Sequence, residues 1–88
     1  MANDLIDYYG TECPHCIEMF PLIEKLEKEL KVKVIKKEVW HDEKNATELK
    51  KADTIGCGGV PFFINKKTGK QLCGAVTYDK LKAWAQGK

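Results

Sequence analysis

The stretch DLIDYYGTECPHC, residues 4–16, decides the fold of this chain. Its first six residues are rich in apolar and aromatic side chains and predict a short strand, and Gly10-Thr11-Glu12 predict a turn. Pro14 suits the first turn of a helix, where its missing N–H would have no partner. A helix is therefore predicted to begin near Cys13, with the Cys13-Pro14-His15-Cys16 motif at its start.

The rest of the chain continues the alternation of strands and helices. The remaining elements are predicted as a helix to Leu30, a strand over 32–39, a helix over 42–52 capped by Asp42, a strand over 62–65, a return strand over 70–74 and a helix capped by Thr77. The order β-α-β-α-β-β-α predicts an α/β fold with one mixed four-stranded sheet and helices on both faces. With 88 residues and 10.0 kDa, the chain is expected to form a single domain over residues 1–88.

Composition excludes several classes of function. The net charge is +2 and all 15 basic residues are lysine, which is not the concentrated basic face of a nucleic-acid-binding protein. The longest apolar run, residues 60–64, is far too short for a membrane span. The first residues do not resemble a secretory signal, so a cytoplasmic location is expected. We expect a monomer that binds neither nucleic acid nor membrane.

The chemistry is predicted to lie at Cys13 and Cys16. The first turn of a helix has unpaired N–H groups and a partial positive charge, which should lower the pKa of a Cys13 thiol and favour the reactive thiolate. Cys16 lies one turn later, close enough to attack a mixed disulfide. Cys13 is expected to be the exposed sulfur and Cys16 the buried one. The alternative, a zinc site, would normally need a second Cys-x-x-Cys pair, which Cys57 and Cys73 do not form, so no metal or cofactor is expected.

The chain resembles small thioredoxin-fold proteins of the thioredoxin and glutaredoxin group. Besides the cysteine pair, four features agree with that family in spacing: Asp7, Pro21, Pro61 and Gly74. The resemblance implies that Cys13 is the nucleophile and Cys16 the resolving thiol. It implies that Asp7 is a buried acid that accepts the proton of Cys16, with exposure on an edge strand as the alternative.

The resemblance also implies a substrate-binding surface around the cysteine pair. Pro61 is expected to be cis and to face the disulfide, and the backbone of Val60 to pair with an extended substrate chain. Pro14, His15 and Gly74 are expected to belong to the same surface. The resulting prediction is a thiol–disulfide oxidoreductase that acts on protein disulfides, with a reductase or glutathione as the electron donor.

Three positions depart from the family pattern. Glu12 stands where thioredoxins usually carry tryptophan, and its charge should raise the Cys13 pKa. Counted back from Asp42, the position where the family carries a lysine near the buried acid is Glu38, with Lys36 and Lys37 beside it. His15 between the cysteines is typical of strongly oxidising relatives, so the reduction potential should lie between about −270 and −120 mV.

Two alternatives and one pairing stay open at this point. A glutathione-dependent, glutaredoxin-like enzyme is less favoured because the segment after the return strand has one glycine and one acid. A non-catalytic module that holds zinc or an iron–sulfur cluster through Cys13 is the other alternative. Pairing Asn65 with Lys70 places Cys73 opposite Phe62. Cys57 and Cys73 are expected to be two buried free thiols rather than a second disulfide or regulatory pair.

Overall fold

In a computed structural model that describes residues 4–87, four strands and three helices form the predicted fold. The elements are β1 (Leu5–Tyr9), α1 (Pro14–Leu30), β2 (Val34–Glu38), α2 (Glu43–Ala52), β3 (Phe62–Asn65), β4 (Gln71–Cys73) and α3 (Tyr78–Ala85). The predicted order and types are confirmed; the strands predicted over 32–39 and 70–74 are each shorter at both ends. Residues 1–3 and 88 of the predicted domain lie outside the described residues.

The sheet has the strand order β2-β1-β3-β4. β1 and β2 are parallel and joined through α1, whereas β3 pairs antiparallel with both β1 and β4. The register predicted for the β3–β4 hairpin is confirmed, because Cys73 lies opposite Phe62 and the N–H of Gly74 donates to the carbonyl of Pro61 at 2.8 Å. The hairpin therefore ties the residue that precedes β3 to the residue that follows β4.

Alternation along β1 divides the core into two halves. Leu5 points to the side where α1 and α3 pack, and Tyr8 points to the side of α2. The buried members of the first half are Leu5, Met19, Ile23, Leu26, Val34, Phe63, Leu81 and Trp84. The buried members of the second half are Ile6, Tyr8, Val39 and Phe62. Helices on both faces, as predicted, bury both sides of the sheet.

Side chains that accept hydrogen bonds from backbone N–H groups define where the helices begin. Asp42 accepts from the N–H of Asn45 at 3.1 Å, and Thr77 accepts from the N–H of Lys80 at 3.4 Å. α1 is different because its cap is Cys13, whose sulfur accepts from the N–H of Cys16 at 3.2 Å. The start of α1 is thus also the position of the cysteine pair. Among residues 4–87, no helix is long and apolar enough to cross a membrane.

Candidate active site

Cys13 and Cys16 are joined as a disulfide at the start of α1. Their Cα atoms are 5.2 Å apart, and Pro14 occupies the first position of the helix as predicted. Cys16 is fully buried, but the expectation that Cys13 is exposed is wrong, since it is only 3% exposed. Cys13 is covered because its cap geometry turns the sulfur back over the first turn, within 3.9 Å of the Val60 carbonyl oxygen.

The peptide bond between Val60 and Pro61 is cis, as the resemblance implied. Pro61 is fully buried and Val60 is half-buried. The 3.9 Å approach of the Cys13 sulfur to Val60 places this bond beside the disulfide. Gly74 has a φ of +81°, a conformation that favours glycine, and its N–H holds Pro61 from the other side. The cysteine pair, the cis-proline and Gly74 therefore meet at one edge of the sheet.

Asp7 is fully buried, so the alternative of an exposed acid is wrong. Neither carboxylate oxygen has a hydrogen-bond partner, and burial raises the pKa of Asp7 to about 7, opposed by the positive charge of Lys36. Asp7 lies in register with Lys36 on the neighbouring strand, on the face of β1 that α1 covers. The lysine beside the buried acid is therefore Lys36, and the position counted back from Asp42, Glu38, does not lie there. Asp7 and Lys36 are the third residues of β1 and β2, so pairing the two strands in parallel from their first residues predicts this contact.

The Glu38 carboxylate instead holds the turn before Cys13, residues 10–12, against the segment that follows β2. Its carboxylate accepts from the backbone N–H groups of Thr11 at 3.0 Å, Trp40 at 3.1 Å and His41 at 2.7 Å. These three hydrogen bonds join the turn before Cys13 to the segment after β2. This carboxylate clamp could not be predicted from the sequence, because its three donors are backbone groups, which the side-chain pattern does not identify.

Trp40 and His41, in the segment that follows β2, also contact the turn before Cys13, and the sequence did not predict these contacts. A Cβ atom at Gly10 would overlap the indole ring of Trp40, so the ring lies against the backbone at the end of β1. Trp40 is nonetheless 51% exposed. The His41 ring nitrogen lies 2.8 Å from the Glu12 carboxylate, and this hydrogen bond raises the pKa of His41. A protonated His41 therefore offsets the Glu12 charge that we expected to act on Cys13.

His15 lies on the exposed side of the helix start. Its side chain is 71% exposed, and its Nδ1 atom is 3.6 Å from the Glu18 carboxylate one turn later. Any electrostatic effect of the His15 side chain on the cysteine pair therefore passes through solvent, which strongly screens charges. Its influence on the reduction potential stays a prediction.

A cleft of about 310 Å³ lies between α2 and the loop that precedes β3. Its lining is mainly apolar and glycine: Val39, Trp40, Ala46, Leu49, Lys50, Asp53, Gly58, Gly59 and Val60. Val60 belongs both to this lining and to the contact with Cys13.

The two remaining cysteines do not behave as expected. Cys57 and Cys73 form a second disulfide with Cα atoms 5.5 Å apart, which corrects the prediction of two buried free thiols. Cys73 is exposed on the edge strand, and the hairpin register carries it to the loop that contains Cys57. Among residues 4–87, no group of three or more histidine, cysteine or acidic side chains is arranged to hold a metal ion.

A cysteine pair that caps a helix after the first strand, beside a cis-proline, defines the class of thioredoxin-fold domains. The family model described as Thioredoxin matches residues 2–87, and the chain belongs to the thioredoxin family. No curated protein matches the chain.

Solved structures share the fold of this chain. The chain is similar to the short form of thioredoxin f from spinach chloroplast, with 29% identity over 97% of this chain and 77% of that one, and a TM-score of 0.69. It also shares its fold with a thioredoxin from Aeropyrum pernix, with 24% identity over 97% and 74% of the two chains and a TM-score of 0.73. A glutaredoxin from Archaeoglobus fulgidus gives 22% identity over 97% and 88%, with a TM-score of 0.61.

Proposed function

We propose that this protein is a thiol–disulfide oxidoreductase that exchanges the Cys13–Cys16 pair with disulfides of protein substrates. The observation that carries the proposal is the position of the Cys13 sulfur. It caps α1 through the N–H of Cys16 and lies beside the backbone of Val60. A thiolate at this position would be stabilised by the hydrogen bond and by the helix start. The membership of the thioredoxin family supports the same chemistry.

The exchange proceeds in two steps in the reducing direction. The Cys13 thiolate attacks one substrate sulfur, a mixed disulfide forms, and the other substrate sulfur leaves as a thiolate. Cys16 then loses its proton and attacks the Cys13 sulfur, which closes the Cys13–Cys16 disulfide and releases the first substrate sulfur. Two electrons pass from the dithiol to the substrate, and a reductase or glutathione restores the dithiol.

Asp7 is the proton acceptor for Cys16 in this scheme. A buried carboxyl with a pKa of about 7 takes up and releases a proton near neutral pH. Its oxygens have no competing hydrogen-bond partner, and it lies on the face of the sheet that α1 covers. Lys36 in the neighbouring strand limits how far burial raises the pKa of Asp7.

Substrate recognition uses the edge of the site that remains accessible. An extended substrate segment pairs with the backbone of Val60, next to Pro61, and the adjacent cleft takes an apolar side chain near the substrate cysteine. Pro14 and His15 are both exposed at the helix start and flank the docking surface. Gly74 supports Pro61 through its 2.8 Å hydrogen bond. The cytoplasmic location stays a prediction of the sequence.

Trapping of the mixed disulfide tests this function. The Cys16→Ser variant should accumulate a covalent complex with a disulfide-bonded protein substrate such as insulin, because the resolving thiol is absent. The matched control, Cys13→Ser, should trap nothing. Equal trapping by both variants would refute the assigned roles. A parallel assay with a glutathione mixed disulfide separates the glutaredoxin-like alternative.

A further inference from the structure

The second disulfide lies on the surface, at the loop that leads into the active site. Cys57 is half-buried in the segment between α2 and β3, and Cys73 is exposed at the end of the edge strand β4. An external thiolate can therefore approach Cys73 without unfolding of the protein. Thiol–disulfide exchange depends on such access as well as on the chemistry of the thiols.

Opening this disulfide would leave the core of the fold intact. The buried members of both core halves come from other residues, and Cys57 only packs against the periphery of the half around Tyr8 and Phe62. The β3–β4 register has its own backbone pairing at Phe62, Phe63 and Ile64. The pair therefore crosslinks a loop to a strand and is not needed to fill the interior.

The crosslinked loop forms one wall of the exchange site. Gly58, Gly59 and Val60 directly follow Cys57 and line the cleft between this loop and α2. The Val60 carbonyl lies 3.9 Å from the Cys13 sulfur. At the other end of the crosslink, Gly74 follows Cys73 and holds Pro61. Both halves of the second disulfide are thus close in sequence to the groups that face Cys13.

Besides the disulfide, this loop is held by hydrogen bonds around Asp53, whose carboxylate also accepts from the N–H groups of Ile55 and Gly56, and around Gln71. The Asp53 carboxylate accepts from the N–H groups of Cys57 at 2.9 Å and Gly58 at 2.8 Å. The side chain of Gln71 donates to the Thr54 hydroxyl at 2.9 Å. The bonds to Gly58 and Thr54 are exposed and compete with water. The loop also contains several glycines, whose backbone has the greatest conformational freedom.

We propose that Cys57–Cys73 is a second thiol–disulfide exchange site, opened by a low-molecular-weight thiol, and that its oxidation state sets the conformation of the substrate-facing loop. A thiolate of the small thiol attacks the Cys73 sulfur, a mixed disulfide forms at Cys73, and Cys57 leaves as a thiolate. A second small-thiol molecule then attacks the sulfur of the first one in this adduct. Cys73 leaves as a thiol, and the two small-thiol molecules are joined in a symmetric disulfide. Two electrons enter the pair, and the reverse sequence closes it.

The exchange site stands apart from the proposed function, whereas its effect on the loop rests on that function. The first experiment therefore uses the Cys13→Ser/Cys16→Ser variant, in which only Cys57 and Cys73 carry thiols. It is equilibrated with reduced and oxidised glutathione at increasing ratios, its free thiols are alkylated, and its mass is measured. We expect two thiols to appear together and reversibly, with a minor glutathione adduct at Cys73.

Two results would overturn the exchange site. A pair that stays oxidised at every glutathione ratio would be a purely structural crosslink. A glutathione adduct at Cys57 in place of Cys73 would contradict the assigned point of attack. Because this variant has no Cys13–Cys16 pair, either result is independent of whether the protein acts on protein disulfides.

The second experiment tests the effect on the loop with the Cys57→Ser/Cys73→Ser variant, whose fold is checked by circular dichroism. We expect roughly a tenfold rise in KM for a protein disulfide. The substrate must then order the freed loop when it binds, and a tenfold change corresponds to fixing the backbone of about one residue. The kcat and the rate with a small aromatic disulfide should not change. An unchanged KM for the protein disulfide, in a folded variant with normal small-disulfide activity, would overturn the coupling.

Discussion

Replacement of Asp7 by asparagine should stabilise the protein in a pH-dependent way. Asp7 is fully buried without a hydrogen-bond partner, and burial raises its pKa from an ordinary value of 3.8 to about 7. Each unit of pKa difference corresponds to about 1.4 kcal/mol, so the rise of the Asp7 pKa from 3.8 to about 7 corresponds to a loss of about 4 kcal/mol of folding free energy when the carboxyl is ionised. Asparagine has nearly the same shape and carries no charge, so it removes this penalty.

The direction of the pH dependence follows from proton binding. Between pH 4 and 7 the carboxyl of Asp7 is protonated in the folded protein and ionised in the unfolded chain. The unfolded state therefore binds fewer protons, and the stability of the wild-type protein falls as the pH rises through this range. The Asp7→Asn variant should be more stable than the wild type by about 4 kcal/mol at pH 8 but by only about 2 kcal/mol at pH 5.

Urea unfolding of the oxidised protein at pH 4, 5, 6, 7 and 8 measures this difference. The matched control is Asp79→Asn, which removes an exposed carboxylate in the first turn of α3 and should change stability by less than about 1 kcal/mol. A stability difference for Asp7→Asn that is constant across the pH series would refute the reasoning. So would a variant that is less stable than the wild type at pH 8.

Four further predictions concern the contacts around the site. Asp7→Asn should also slow the release of substrate from the mixed disulfide by about 100-fold near pH 7, seen in stopped-flow kinetics; an unchanged release rate would exclude Asp7 as the proton acceptor. Tyr8→Phe removes a 2.6 Å hydrogen bond to the Glu48 carboxylate and should cost about 1.5–3 kcal/mol in denaturant unfolding; no loss would mean that the bond does not form in solution. Gly10→Ala should displace the Trp40 ring at a cost of about 1–3 kcal/mol and change its fluorescence, whereas Gly59→Ala, at a position with open space, should leave the fluorescence unchanged. Cys57→Ser/Cys73→Ser removes a crosslink with a sequence separation of 16 and should lower the free energy of unfolding by about 3 kcal/mol in denaturant unfolding. A variant as stable as the wild type would mean that the disulfide does not restrict the unfolded chain.

The path of the chain was predictable because its signals are local. The caps Asp42 and Thr77, the proline at the first position of α1 and the turn between β3 and β4 each determine the structure of a few neighbouring residues. The hairpin register followed from one pairing, Asn65 with Lys70, and placed Cys73 correctly. Boundaries of short strands were less predictable, since pairing with neighbours decides where they end.

The environment of the site depended on contacts between distant residues. The buried Cys13 sulfur lies 3.9 Å from the carbonyl oxygen of Val60, 47 positions later, and no pattern near Cys13 indicates this contact. The same holds for the three backbone donors of Glu38 and for Trp40 against Gly10. The hairpin register places Cys73 beside the start of β3, but the sequence does not show that the loop before β3 folds back to bring Cys57 to it.

The reduction equilibrium of Cys13–Cys16 tests the central claim most directly. In the Cys57→Ser/Cys73→Ser background, the protein is equilibrated with dithiol and glutathione buffers and its free thiols are counted by mass. The account predicts one reversible two-electron step that brings two alkylated thiols, and a potential that falls when His15 is replaced by glycine. The absence of any reversible step would contradict a thiol–disulfide oxidoreductase, and an unchanged potential in His15→Gly would contradict the role of that histidine.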